Sequence, residues 1–148
     1  MTDRSHDGRN ALATARLRAF VDGLSDEDLR RDIGNGWTVA AALAHVAHRD
    51  DMAAVRWSAA TAAGTVPIDI PLELSNVIND ASLPLWRAIP ARTAAELAIS
   101  AAANVDALIV ALSDAAVDAA TAAAVPRVLD RSIHRNAHLD ELELALGG

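Results

Sequence analysis

One segment of the sequence, from Val39 to Ala63, has both a start and a stop signal and is apolar around most of its circumference. Thr38 is a good N-cap residue, and Gly64 with the prolines that follow it ends the segment. A helix that is apolar nearly all round has to be covered by other helices. The segment therefore predicts a helical bundle in which it takes a central place.

Three further long helices are predicted from helical periodicity and from the signals at their ends. In chain order they run from about Arg9 to Gly23, from Thr93 to about Leu112, and from Pro126 to about Leu146. Thr93 and Glu96 have the spacing of a capping box, and Pro126 suits the first turn of a helix.

The remaining stretches are shorter or less regular. Ser25 and Asp28 resemble a capping box for a short helical turn. A short helix is predicted over 74–86, residues 113–125 are expected to form helix or loop, and residues 1–8 are expected to be a flexible polar tail.

No strand-like alternation of useful length occurs, and the one candidate, 66–70, lies between prolines. The fold class predicted is all-α, a four-helix bundle. The long link between its second and third helices contains prolines and permits a crossover. The length, 148 residues, fits a single domain over 1–148.

Composition excludes several classes of function. The chain has no cysteine, so a metal site must use His, Asp or Glu, and any thiol must come from a small molecule. The net charge is −7, and all the basic residues are scattered arginines, so neither a nucleic-acid nor a membrane partner is expected. The polar N-terminus lacks the apolar stretch of a signal peptide, so a cytoplasmic location is expected. The Ala- and Arg-rich usage is typical of a GC-rich bacterial genome.

Three histidines carry the functional signal. His134 and His138 are spaced i, i+4, so on a helix both imidazoles lie on one face. With His45 from a facing helix they could bind one divalent metal ion and leave positions open for water or substrate. Three imidazoles suit zinc, nickel, iron or manganese. Since the rings must be neutral to bind, the affinity is expected to fall below about pH 6.

A structural role is the alternative for each histidine. His45 could lie at the edge of a packed face with a local hydrogen bond. His134 and His138 could belong to an exposed polar face of the last helix, to which Arg131 and Arg135 are also assigned.

Carboxylates near the histidines are candidates to accept the second ring N–H of a metal-binding imidazole. Asp130 precedes His134 by four residues, and Glu141 follows His138 by three. Asp50, near His45, is a weaker candidate. Solvated surface charge is the alternative for each of them.

Three more side chains are candidates for the pocket wall. His48 lies one turn after His45 and is assigned to the wall or to a contact with a ligand histidine. Arg49 and Arg56 share the His45 face by helical phase and could hold an anionic substrate or thiol. The alternative for both is an arginine that lies along the helix edge.

The sequence around these residues resembles a known family. Gly36-Trp37-Thr38-Val39, followed by the run 43–50, is similar to the signature of the DinB/YfiT-like proteins, which include the N-terminal domain of mycothiol-dependent maleylpyruvate isomerase. In that signature a Trp precedes the first metal histidine by eight residues, as Trp37 precedes His45, and the last helix carries His-x-x-x-His, matched by His134 and His138.

The resemblance implies a four-helix bundle and a divalent metal ion, commonly zinc or nickel, held by His45, His134 and His138. It also implies a thiol-dependent transferase or isomerase that uses mycothiol, bacillithiol or glutathione as cosubstrate. Members of the family often form dimers, so a homodimer is expected.

Three functions follow as hypotheses. The first is a metal-dependent S-transferase or isomerase that acts on a small electrophile, with a small-molecule substrate as partner. The alternative is a stress protein that binds a metal or small molecule without turnover. The further alternative is a metal-free helical module that acts by association.

Overall fold

The protein is all-α, as its sequence predicts, in a computed structural model that describes residues 1–147. Those residues form eight helices and one small two-stranded antiparallel hairpin. In chain order the elements are α1 (Ser5–Asp22), α2 (Asp26–Arg30), β1 (Asp32–Gly34), β2 (Trp37–Thr38), α3 (Val39–Ala63), α4 (Leu72–Ala88), α5 (Ala91–Val110), α6 (Asp114–Ala122), α7 (Pro126–Leu129) and α8 (Ser132–Ala145).

Helices α1 and α8 run in the same direction along the bundle. Near the start of each helix, the Asn10 side chain accepts a hydrogen bond from the backbone N–H of Ser132 at 3.0 Å. Two turns further on, Arg16 donates to Asn136 at 3.1 Å and to Asp140 at 2.7 Å. Contacts that advance together along both helices show that the two are parallel.

Helices α3 and α5 run opposite to this pair. In α3, His45 meets His138 while the later Asp50 meets the earlier Arg131. In the same way, Arg92 near the start of α5 donates to Leu24 just after α1, while the later Asp106 accepts from the earlier Thr14, so α5 lies antiparallel to α1. Since α3 and α5 are then parallel to each other, the link between them has to return along the bundle, and the predicted crossover is present. Helix α4 lies in that link and packs against α3.

The start and stop signals of α3 act as the sequence predicts. The hydroxyl of Thr38 accepts a hydrogen bond from the backbone N–H of Ala41 at 3.1 Å. Gly64 ends the helix with φ of 69°, a left-handed conformation that costs glycine little. The capping box of Ser25 and Asp28 is also present, at the start of α2.

Several predicted boundaries are wrong. Helix α1 begins at Ser5, so residues 5–8 are helical, and Arg4 before it donates to Asp114 of α6 at 3.0 Å. Helix α5 begins directly after Pro90, so Thr93 lies inside the helix and forms no capping box. The φ of Pro90, −52°, already suits entry into a helix.

The predicted last helix is two helices. The chain leaves helical geometry at Asp130, where φ is −91° and ψ is 88°, and the new helix α8 follows. The Asp130 carboxylate accepts from the backbone N–H of Ser132 at 3.2 Å and so satisfies a donor at the start of α8. Residues 113–125 are expected from the sequence to form helix or loop, and they contain helix α6. Ser113 caps the start of that helix.

Helix α5 is long and apolar enough to cross a membrane by length and composition, and no other helix of residues 1–147 is. Core helices of soluble proteins pass the same test. In this bundle Ala94, Ala98 and Ala102 of α5 are fully buried, and α5 packs mainly on α3. The arrangement fits a soluble protein.

Candidate metal centre

Three imidazoles converge between α3 and α8. The Nε2 atom of His45 lies 3.0 Å from Nε2 of His134 and 3.1 Å from Nε2 of His138. The Nε2 atoms of His134 and His138 are also 3.1 Å apart. The spacing of one helical turn in α8 supplies two corners of this triangle, and the antiparallel contact with α3 supplies the third. We call these three side chains the histidine triangle.

The triangle has the dimensions that one metal ion requires. Three nitrogens bound to one zinc-like ion, at angles between octahedral and tetrahedral, lie about 2.9 to 3.4 Å apart. The observed edges of 3.0 to 3.1 Å fall inside this range. Each neutral imidazole has only one N–H, so three converging Nε2 atoms cannot satisfy one another by hydrogen bonds alone. The group could therefore hold a metal ion.

Burial keeps the triangle in the protonation state that metal binding requires. Desolvation, followed by repulsion from a protonated His138, lowers the pKa of His45 to about 3. Desolvation also lowers the pKa of His134, with further lowering by His138 and His45. The pKa of His138 is lowered by burial as well, although Glu141 opposes that shift. All three rings are thus neutral at pH 7.

The second ring nitrogens have different surroundings. Nδ1 of His138 lies 3.2 Å from a carboxylate oxygen of Glu141, so the structure brings Glu141 to the histidine that the sequence indicates. Nδ1 of His45 and Nδ1 of His134 are buried without a hydrogen-bond partner. Asn79 of α4 is near His45 and opposes the lowering of its pKa.

Aromatic rings hold the His45 imidazole in place. The ring of Trp86 packs edge-on against it at a centroid distance of 5.2 Å, and Trp37 does so at 5.8 Å. His48 is not a corner of the triangle. Its ring packs on Trp86 at 5.6 Å and belongs to the surrounding wall. Because α4 carries Trp86, the crossover link is part of the site.

Two of the predicted carboxylates lie elsewhere. Asp50 is fully buried and accepts from Arg131 at 2.9 Å and from Arg135 at 2.7 Å. It is five residues from His45, a spacing that puts it on a different face of α3. Asp130 accepts from Arg9 at 2.7 Å and contacts Ser132, and the break between α7 and α8 removes the i, i+4 relation to His134.

The face of α8 that carries Arg131 and Arg135 is not exposed. This contradicts the alternative interpretation of the sequence, in which these arginines belong to an exposed polar face of the last helix. Arg131 is 8% exposed and Arg135 is fully buried. Arg135 donates to Asp50 and Asp106, and the latter contact is 2.8 Å. A buried arginine on this face shows that α8 is polar on the inside, where its partners lie on α1, α3 and α5.

A cavity of about 330 Å³ adjoins the triangle and shares His134 with it. Arg49 and Arg56 both line this cavity, so the structure brings the two predicted cations together. Arg127 and Arg131 line it too. The sequence does not indicate this role for Arg127 and Arg131, because nothing in their local pattern shows that they face α3.

A helical bundle in which three neutral histidines converge fits a metal-binding protein. The family model described as the DinB superfamily matches residues 10–138 of the chain. The chain therefore belongs to the DinB superfamily, and the matched region contains the whole histidine triangle. No match is found among curated proteins or among solved structures.

Proposed function

We propose that this protein is a divalent-metal-dependent enzyme, a thiol-dependent S-transferase or isomerase that acts on a small electrophile. The observation that carries the proposal is the triangle of Nε2 atoms with edges of 3.0 to 3.1 Å. His45, His134 and His138 would hold the ion, with zinc or nickel as the first choices. The thiol would be of the mycothiol, bacillithiol or glutathione type.

The composition of the chain and the geometry of the site support the use of a thiol that a separate small molecule supplies. A bound divalent cation would lower the pKa of a coordinated thiol so that the nucleophilic thiolate forms near neutral pH. The chain itself has no cysteine, so the protein supplies only the setting. Glu141 accepts the Nδ1 proton of His138 and thereby directs the Nε2 lone pair into the triangle. Trp37 and Trp86 keep the His45 ring from turning away.

Elemental analysis of protein purified without a metal-affinity tag tests the metal part of the proposal. We expect about one equivalent of a divalent metal, and its loss in the variant His134→Ala/His138→Ala. His48→Ala is the matched control, because His48 is on the same helix as His45 but is not a corner of the triangle. A wild type that stays empty after dialysis against zinc, nickel and manganese would contradict the proposal and favour a metal-free association module.

Turnover is tested separately with metal-loaded protein. An S-transferase should consume the free thiol of mycothiol, bacillithiol or glutathione when a small electrophile is present. An isomerase should convert the electrophile to its isomer only when the thiol is present, and should release the thiol unchanged. We expect one of these reactions, and its loss in the double variant. Metal in stoichiometric amount without either thiol-dependent reaction would instead favour the alternative, a non-catalytic protein that binds a metal or small molecule.

The cytoplasmic location, the bacterial source, the homodimer and the lack of a nucleic-acid or membrane partner stay predictions. Light scattering coupled to size-exclusion chromatography checks the homodimer, with a measured mass near twice the 15.5 kDa of the chain as the expected result.

A further inference from the structure

We propose that the cavity next to the histidine triangle binds a small organic anion with an apolar body, and that this anion is the substrate. Only the claim that the anion is the substrate rests on the proposed function. The binding of the anion itself depends only on the cavity and can be measured without metal. We call the cavity, defined by the four arginines below, the arginine cavity.

The charge of the cavity is opposite to that of the chain. Four guanidinium groups line it against a single carboxylate, that of Asp69. They belong to Arg49 and Arg56 of α3, Arg127 of α7 and Arg131 at the start of α8. The chain as a whole has a net charge of −7, so this concentration of positive charge is a local feature. Field lines that converge in such a concave site raise the local concentration of anions.

Protein contacts leave much of this donor capacity unused. Arg131 is engaged, since it donates to Asp50 and to the carbonyl of Arg127. Arg49 donates one nitrogen to Ser75, at 2.9 Å, but its Nη1 is buried without a partner. Among residues 1–147, the guanidinium groups of Arg56 and Arg127 donate to no other residue. The guanidinium groups of Arg56 and Arg127, and Nη1 of Arg49, are therefore available to a carboxylate or phosphate.

The arginines also repel one another. The pKa of Arg49 is lowered first by burial and then by the charges of Arg131, Arg56 and Arg127. Burial and Arg131 likewise lower the pKa of Arg56, although Asp69 opposes the shift. Like charges held together in a partly desolvated cavity destabilise it when it is empty. A bound anion offsets this repulsion.

The rest of the wall selects an organic anion over an inorganic one. Apolar side chains cover the space between the arginines, and they include Met52, Trp57, Ile70, Leu72 and Val128. A volume of about 330 Å³ is near the lower end for small-molecule sites. A compact molecule with an apolar or aromatic body and one or two anionic groups fits both observations. Because His134 belongs to both the cavity and the triangle, such a molecule would lie beside the metal centre.

Calorimetry with phthalate, an aromatic dianion, on metal-free protein tests the inference. We expect phthalate to bind, added salt to weaken the binding, and the neutral phthalamide not to bind. In Arg56→Gln/Arg127→Gln we expect at least a tenfold loss of affinity. Among residues 1–147 the side chains of these two arginines donate no hydrogen bond, and their replacement relieves repulsion between like charges. The variant should therefore unfold at a temperature no lower than the wild type does, which circular dichroism checks. The matched control is Arg18→Gln/Arg30→Gln, in which two exposed arginines outside the cavity are changed.

The other possible outcomes of these experiments distinguish the organic-anion inference from the proposed metal-dependent function. If folded wild type binds no phthalate, or binds phthalamide or inorganic phosphate equally well, the organic-anion inference is wrong even where the metal analysis succeeds. The inference is also wrong if the cavity variant and the control variant bind phthalate alike. If phthalate binds as expected and the protein takes up no metal, the inference about the cavity holds while the metal-dependent function fails.

Discussion

Helix α8 carries two polar regions that differ in how their buried groups are satisfied. In one, the guanidinium of Arg135 donates from every nitrogen, to Asp50 from Nε and to Asp106 from Nη1 and Nη2. In the other, the Nε2 atoms of His45, His134 and His138 converge at 3.0 to 3.1 Å, and hydrogen bonds among them cannot satisfy all three. Native proteins satisfy nearly all buried polar groups, so the unsatisfied ones require an explanation.

Along the single helix α8, one polar region stabilises the fold and the other forms the candidate functional site. The network of Arg131, Arg135, Asp50 and Asp106 ties α8 to α3 and α5 and needs no ligand. The histidine triangle and the arginine cavity beside it are incomplete with protein groups alone. Buried polar residues of α8 therefore hold the bundle together where they are paired, and the proposed ligands would complete them where they are not.

The largest expected effect tests the paired region. Asp50→Ala removes the carboxylate shared by Arg131 and Arg135 and leaves buried positive charge uncompensated. We expect the free energy of unfolding to fall by about 3–5 kcal/mol, measured by urea denaturation. Asp51→Ala, at the next and exposed position, is the control and should change it by no more than about 0.5 kcal/mol. Equal effects of the two variants would show that the network does not hold the fold.

The unpaired region should gain stability from a ligand. Zinc at a free concentration one hundred times its Kd should raise the free energy of unfolding of the wild type by about 2.7 kcal/mol. In His134→Ala/His138→Ala the same zinc concentration should change nothing, because two corners of the triangle are missing. Thermal unfolding with and without zinc measures both. Equal stabilisation of the two proteins would place the zinc outside the triangle.

A pH titration tests the region of the histidine triangle, because its histidines bind protons less readily in the folded chain than in the unfolded chain. Because the pKa values of His45 and His134 are lowered in the fold, the unfolded chain takes up protons that the folded chain refuses. The stability of the metal-free protein is thus complete above about pH 6.5 and is lost as the pH falls, by about 1.4 kcal/mol per pH unit for each such histidine.

Urea unfolding at pH 7.5 and pH 5.5 measures that loss, and His134→Ala/His138→Ala should show a clearly smaller one. The lowered pKa values also revise the pH dependence expected from the sequence. Because the pKa values of all three rings are lowered in the fold, the metal affinity of folded protein should begin to fall only at a pH below the value of about 6 expected from the sequence. An affinity that falls steeply at pH 6 would contradict this.

The smallest effect concerns the one imidazole whose second nitrogen is paired. Glu141→Gln weakens the acceptor for the Nδ1 proton of His138 and should lower the metal affinity about tenfold without changing the stoichiometry. Glu143→Gln, which instead removes a partner of Arg16, is the control. Competition with a fluorescent zinc chelator measures both affinities, and an unchanged affinity in Glu141→Gln would make that carboxylate a surface charge.

Local signals in the sequence predict much of the fold and the triangle. The caps at Ser25, Thr38 and Gly64 act within a few residues, so the chain around them is enough to identify them. They fail where a competing local effect is stronger, as at Pro90, whose preset φ starts α5 before Thr93 can cap it. The i, i+4 spacing of His134 and His138 survives because it lies within one unbroken helix.

The amino-acid sequence is thus enough to predict the helical bundle and the face that His134 and His138 share. The pairing of the buried charges depends instead on how the helices pack. Asp50 looks like a partner for a histidine along the chain, yet it is taken by arginines from α8. Arg127 joins Arg56 in one cavity only through the packing of α7 near α3. Such contacts join residues far apart in sequence, and no local periodicity or spacing encodes which distant charge a buried group will meet.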